Sequence, residues 1–373
     1  MIDKKITFFY QAGRIEKINS NEPYAKEMFY GYHYFLEKYK NVKIVEFTPI
    51  KSKLKLWFRN KVEKKISNVF KLPIFWSYLV TSQNYKNIKD SDYLIFNNNR
   101  VGASMLPLLI WYRLVNKFTP TSLCFVLGLF SRTTKYKFLM PVHNFYIKLM
   151  LKTIDKFIFL SEGEINFAKS KFDKFKHKFY LIPFAIDLDL WTFGESNKEG
   201  VLFVGNDSFR NFELVEKIIN KLPDVNFTIV SQFINEEKLR HDNYTIYKGS
   251  WGNPAITDVG LQTLYSKSKV TIIPLKNSLQ PSGQSVALQS LACGTPVLMS
   301  FTDGFWDTKN FQNEKNINFI NDETLENWVS NISKILNMNE NNYRLLTENG
   351  LKIIIEKYDL LSFSKEVENI LIQ

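Results

Sequence analysis

Cysteine is nearly missing from this chain: 373 residues hold two, Cys124 and Cys293, both in apolar segments and neither at metal-ligand spacing. A disulfide scaffold and a thiolate metal site are thereby excluded, and both thiols are expected to be buried and reduced. Histidine is scarce too. Of the four, His33, His177 and His241 show no ligand spacing, and His143, in a Pro-Val-His-Asn context at a helix start, is expected to cap or to stay partly exposed rather than to act in catalysis. No apolar run reaches the roughly 18–20 residues needed to span a bilayer. The longest, around Val101 to Val115, is interrupted by Pro107 and Arg113. Near the start, Lys4 and Lys5 precede only Ile6 to Tyr10, too short for a signal-peptide core and without a small-residue cleavage site. The expected compartment is therefore the cytosol. Repeats and low-complexity tracts are also absent.

What is present is a large apolar fraction, 45%, enough for two domains or one large α/β unit. The net charge of +12 is uneven: residues 1–194 hold 32 Lys and Arg against 15 Asp and Glu, and residues 195–373 hold 17 against 22. The basic half alone is expected to face an anionic partner.

The chain is organised around residues 280–296. A Pro-Ser-Gly turn leads into Val286, Ala287, Leu288, Leu291 and Ala292, and Gly294 and Pro296 stop the run, which are the start and stop signals of one short helix. Val270 to Pro274 upstream and Val297 to Ser300 downstream read as buried strands. A helix that opens just after a strand offers unpaired N–H groups and a partial positive charge to an anion, usually a phosphate.

Residues 280–307 resemble the donor-binding element of GT-B glycosyltransferases, in particular glycosyltransferase family 4, in which two Glu eight positions apart lead into Ala-x-Gly-x-Pro-Val. Leu291 to Val297 matches that ending; Pro281 and Gln289 stand at the two Glu positions. The resemblance covers most of residues 155–310. It implies an α/β chain of two Rossmann-like, doubly wound domains facing a central cleft: 1–190 on the acceptor and membrane side, 191–360 for the nucleotide-sugar donor, and a helix at 361–373 crossing back to the first domain. Tyr180 to Asp187 matches the family's strand-to-linker signature, and the Asp187-x-Asp189 that follows is read as a cap or hinge rather than a metal ligand pair.

In the second domain, the strand ending at Gly205 runs into Asn206, Asp207 and Arg210 before a helix, where the family carries the cations that clamp the donor diphosphate. Arg210 is the candidate cation and Asn206 stands where the family often has Arg; a solvated Arg at a helix start is the other reading. Ser282, Gly283 and Gln284 would present the helix amides to the phosphates, and Gln289 would bond the ribose, since an amide both donates and accepts. Gly13, after the first strand, lies where the resemblance implies a loop near the phosphates and the acceptor; an ordinary turn is the alternative. Lys248 to Trp251 falls where such domains meet the nucleobase. Gly128, Leu129 and Phe130 stand where many relatives have a His after a strand, so no catalytic His is carried over.

Lys51 to Lys71 reads as a basic amphipathic helix, with Leu54, Phe58, Val62, Ile66 and Phe70 every fourth residue among eight Lys and Arg. It is either a packed surface helix or an interfacial one on an anionic membrane. The expected function is transfer of a sugar from a nucleotide-diphosphate donor to a membrane-associated glycolipid or saccharide, with retention implied by the family alone, no cofactor and no required metal. The competing readings are a catalytically silent GT-B protein that binds a nucleotide or partner, and nucleic-acid binding by the basic half. No recognition module supports the latter, so no nucleic-acid partner is expected.

Overall fold

The computed structural model describes residues 2–20, 22–47, 49–72, 74–132, 134, 136–194, 197–249 and 253–373. Ser250 and Trp251, singled out above, lie outside these. The chain divides into two compact units, 2–20 with 29–182 and 364–373, and 22–28 with 183–363. Residues 183–190, read above with the first domain, thus group with the second unit, as does the short segment 22–28.

The first unit is built on a six-stranded sheet. Its strands are β1 (Ile2–Phe9), β2 (Tyr39–Val45), β3 (Tyr93–Phe96), β4 (Thr121–Val126), β5 (Lys156–Phe159) and β6 (Phe179–Leu181), in the order β2-β1-β3-β4-β5-β6, all parallel. Runs such as Leu94–Phe96 and Leu123–Val126 are buried on both faces, which is why they read as unbroken apolar segments rather than alternating ones. The helices are α1 (Arg14–Asn19), α2 (Tyr32–Lys38), α3 (Lys53–Phe58), α4 (Lys64–Phe70), α5 (Trp76–Leu79), α6 (Ser82–Lys89), α7 (Asn99–Val115), α8 (Met140–Thr153) and α9 (Glu162–Lys171). The aromatic-rich stretch 24–40 does not form one helix: Tyr30 (φ 52°) and Gly31 (φ 90°) take left-handed backbone, so only 32–38 is α-helical.

The basic helix is also not one α-helix. Between α3 and α4, residues Arg59–Glu63 form a wider π-type turn. A strict four-residue apolar repeat drifts about 40° per step around an α-helix, and a turn of more than four residues takes part of that drift back. The two ends differ in consequence: Ile66 and Phe70 are half-buried, whereas Leu54 is 75% and Trp57 56% exposed. His143 is buried, not partly exposed, and its Nδ1 lies 2.8 Å from the Phe70 carbonyl oxygen, tying α8 to the end of α4. Glu164, in the Ser-x-x-Glu start of α9, accepts the backbone N–H groups of Gly128 (2.9 Å) and Phe130 (3.1 Å), so a carboxylate braces the loop where no histidine stands.

The second unit is built on β7 (Glu199–Val204), β8 (Phe227–Val230), β9 (Tyr244–Tyr247), β10 (Ser268–Ile273), β11 (Val297–Ser300) and β12 (Asn318–Ile320), in the order β12-β11-β10-β7-β8-β9 and parallel throughout. Its helices are α10 (Phe212–Lys221), α11 (Asp258–Lys267), α12 (Gln284–Ala292), α13 (Leu325–Leu336), α14 (Glu340–Lys357) and the start of α15 (Leu360–Ile372), whose last part belongs to the first unit. One face of the sheet packs Val201, Phe203 and Ile272 against Leu214, Ile218, Trp328 and Ile332 from α10 and α13. Counting from β7, the order is 3-2-1-4-5-6, so the strand order reverses between β7 and β10. The crevice beyond the carboxyl ends of those two strands is where such a sheet takes its ligand. Among the described residues no helix is long and apolar enough to cross a membrane.

Candidate functional site

Both loops at the reversal point carry the residues singled out in the sequence. The loop after β7 and the loop after β10 pair directly: Asn211 N–H donates to Pro274 O (3.0 Å), Lys276 N–H to Phe209 O (2.7 Å), and Arg210 faces Leu275 across the bridge. That pairing delivers Arg210 to the start of α12. Its guanidinium is 3% exposed and its Nε lies 2.8 Å from an Asp207 carboxylate oxygen, while Nη1 is buried with no hydrogen-bond partner. The Asp207 carboxylate also accepts the Phe209 N–H (3.0 Å), closing the turn that aims Arg210.

Two glycines make room for this cation. A Cβ on Gly205 would stand 2.3 Å from Arg210 Nε, and one on Gly283 would stand 2.6 Å from Ile273 and 3.0 Å from Arg210 Nη1. Gly283 also has φ 81° and precedes α12 without any side-chain cap. The first amides of α12 are therefore left without the capping oxygen that Ser or Asp would supply there. Ser282 and Gln284 flank Gly283 and are both buried; Ser282 Oγ accepts from the Gln280 side chain at 3.3 Å. Arg210, Asp207, Gly205, Ser282, Gly283 and Gln284 thus form one constellation. A buried guanidinium with an unpartnered N–H, beside an uncapped helix N-terminus, is suited to a multiply charged oxyanion.

Three expected residues stand apart from that cluster. The Asn206 side chain is a brace: its Nδ2 donates to Gly249 O (2.9 Å), and its Oδ1 accepts from Gln232 N–H (2.9 Å) and Ser231 Oγ (3.2 Å), joining the ends of three strands. Gly13 belongs to the first unit, where it opens α1 with φ 88°. Gln289 is buried, with Nε2 donating to Glu27 (2.9 Å) and Oε1 accepting from Tyr265 (3.2 Å).

Glu27 is the residue that sequence reasoning missed. It is wholly buried and accepts from Gln289, from Trp191 Nε1 (2.7 Å) and from Asp187 N–H (3.3 Å). Ala25 N–H donates to Asp258 at 2.8 Å, so the whole 22–28 segment is stitched to the second unit. A carboxylate 262 positions away in sequence occupies the hydrogen-bonding partner of Gln289, and no local pattern announces such a pair. Asp187, read as a cap, accepts Asp189 N–H at 3.2 Å.

Burial pushes the Glu27 carboxyl up to about 7, against the pull of the Gln289 and Trp191 donors, with Asp187 adding a smaller push upward. A carboxyl raised in the folded state binds its proton more tightly there than in the unfolded chain. Its stabilising share is complete below the unfolded value of 4.5 and is lost as pH rises through 7. The full swing is about 3 kcal/mol at most, at 1.36 kcal/mol per pH unit. Between pH 5 and 8 the melting temperature of Glu27→Gln should therefore fall less than that of the wild type. Parallel curves would show that Glu27 does not titrate in this range.

No family model matches the chain, and no curated protein matches it in sequence. Solved structures match it over nearly its whole length. Sucrose-phosphate synthase from Thermosynechococcus elongatus is 15% identical, with 98% of each chain covered and a TM-score of 0.70. The fold is GT-B. HepE from Anabaena, solved with UDP-glucose, is 12% identical over 99% of each chain with a TM-score of 0.62, and a glycosyltransferase from Rickettsia africae is 12% identical over 99% of this chain and 98% of its own, at 0.63. The GT-B fold accounts for the two parallel six-stranded sheets.

Proposed function

We propose that the protein is a glycosyltransferase that takes a sugar from a nucleotide-diphosphate donor, in the manner of family 4 and with retention. The observation that carries this reading is Arg210: a buried guanidinium with a free N–H, held between Gly205 and Gly283 at the uncapped start of α12. A departing diphosphate is the anion that such a preorganised set of donors stabilises, because the donors need no reorganisation as charge develops. UDP is the first nucleotide to try, since HepE was solved with UDP-glucose. Calorimetry should show UDP binding, and incubation with a panel of UDP-sugars and membrane extract should release UDP and a glycosylated product detectable by mass spectrometry. Absence of UDP and of ADP binding would sink the reading.

A specific observation favours a second reading, a GT-B protein that binds a nucleotide without turning it over. Gln289, at the place of a family carboxylate, has both ends of its amide engaged inside the protein. UDP binding with no release of UDP from any donor sugar would select it.

The acceptor is proposed to be a glycolipid or saccharide at an anionic membrane surface. The support is the run of α3 through α4, where Leu54 and Trp57 are exposed beside exposed Lys53, Lys55, Lys61, Lys64 and Lys65. Each cation near an anionic leaflet contributes about 1 kcal/mol, so three or four hold a protein there reversibly. Wild-type protein should co-sediment with phosphatidylserine vesicles and lose that binding with salt or with Lys61, Lys64 and Lys65 changed to Glu. Equal sedimentation of the triple variant would reduce α3 and α4 to a packed surface.

A further inference from the structure

The first unit contains a cavity of about 440 Å³, lined by Gln11, Phe47, Pro49, Arg59, Phe75 and Tyr78 among others. It lies at the carboxyl ends of β1 and β2, beside the strand reversal between β1 and β3. Loops at that end of a parallel sheet are placed to meet a ligand.

The walls are aromatic and one cation faces them. Phe47 stacks on Tyr78 with centroids 5.0 Å apart and meets Phe75 at 5.6 Å. The Arg59 guanidinium carbon lies 4.1 Å from the Tyr78 ring centre. Its Nη1 is buried and has no hydrogen-bond partner. Among the described residues that line the cavity there is no carboxylate to supply one.

Arg59 is held in that position from both sides. It opens the π-type turn between α3 and α4, and Glu63 at the far end of the turn accepts the Ser77 N–H and hydroxyl, both at 2.7 Å, locking the turn onto α5, which carries Tyr78. A buried N–H without an acceptor is costly, and a guanidinium fixed by ring stacking is preorganised for a phosphate or carboxylate. Aromatic and proline walls around one placed charge fit a ring-shaped ligand with an anionic substituent.

We propose that this cavity binds a saccharide carrying a phosphate or a carboxylate, with its ring against Phe47 and Phe75 and its charge on Arg59. Naming the ligand a saccharide rests on the proposed transfer; the anion site itself does not.

The test is titration of the full chain, followed by saturation-transfer NMR, with glucose 6-phosphate, glucuronate, glucose and inorganic phosphate. The two anionic sugars should bind, glucose and phosphate alone should bind far more weakly, and Arg59→Met should weaken the anionic sugars at least about tenfold, as expected for a lost charge-assisted contact. Phe75→Ser should weaken both anionic sugars without affecting inorganic phosphate. Tighter binding of octyl glucuronide than of glucuronate assigns a lipid-borne source and equal binding a free one, and either supports the site. Glucose binding as well as glucose 6-phosphate, or an Arg59→Met variant with wild-type affinity and melting temperature, overturns the proposal. Phosphate binding as well as glucose 6-phosphate overturns the saccharide. UDP affinity, measured on the same Arg59→Met protein, should stay at the wild-type value, so failure of the donor reading and failure of this one show in separate measurements.

Discussion

Arg210→Ala should lower UDP affinity by roughly 10- to 150-fold, the 1.5–3 kcal/mol of a hydrogen bond to a charged group, and should leave the melting temperature nearly unchanged. The two halves of that expectation have one cause. In the free protein the guanidinium is desolvated, its Nη1 has no partner, and its ion pair is with a carboxylate that is 31% exposed. Removing it takes away a desolvation penalty along with some packing, and Asp207 can turn to water. A residue that adds little to stability but much to ligand affinity is the signature of a binding group. Calorimetry with UDP and a thermal melt on the same protein check both halves. Wild-type affinity would remove Arg210 from the site, whereas a large loss of stability would make it a structural ion pair.

Gln289→Glu should be strongly destabilising at pH 8, by about 3 kcal/mol or more, the scale of an uncompensated buried charge. From the family pattern alone this change restores the usual residue and looks benign. The structure reverses that expectation, because Gln289 Nε2 is 2.9 Å from Glu27, and a carboxylate there would face another carboxylate with both side chains buried. Two carboxyls in such contact hold on to a shared proton. The variant is therefore expected to recover as pH falls below 6, where that proton is retained, and to lose stability as pH rises. The double variant Glu27→Gln, Gln289→Glu puts one carboxylate and one amide back in the pair and should return most of the stability. Melting temperatures at pH 5.5 and pH 8 decide it, with about 5–10 °C expected between wild type and single variant at the higher pH. A single variant as stable as the wild type at pH 8 would mean that the Glu27 contact is not formed in solution.

Much of the architecture is legible in the sequence because it is locally encoded. Buried parallel strands show as β-branched and aromatic runs, so β11 is read with its observed ends and β10, read as Val270 to Pro274, within two residues of its own. Helix α12 is legible from its Pro-Ser-Gly entry and its Gly-Thr-Pro exit. The short strand β12 (Asn318–Ile320), inside an Asn-rich stretch, is not, because three residues carry no period. Nor is the break at Tyr30 and Gly31, where a continuous aromatic pattern hides two left-handed residues.

Of the site, the frame is locally encoded: a glycine just after β7, Arg210 five residues on, and a glycine opening α12, each set by backbone geometry or by charge within a few residues. How these residues meet one another is set by contacts that the folded chain alone makes. The pairing of residues 209–211 with 274–276 brings Arg210 between the two glycines, and the folding of segment 22–28 onto the second unit gives Gln289 a carboxylate partner. Both depend on contacts across tens to hundreds of residues. Such contacts leave no spacing to read, because hydrogen bonds and ion pairs depend on distance in space, and sequence patterns record only what neighbours along the chain require.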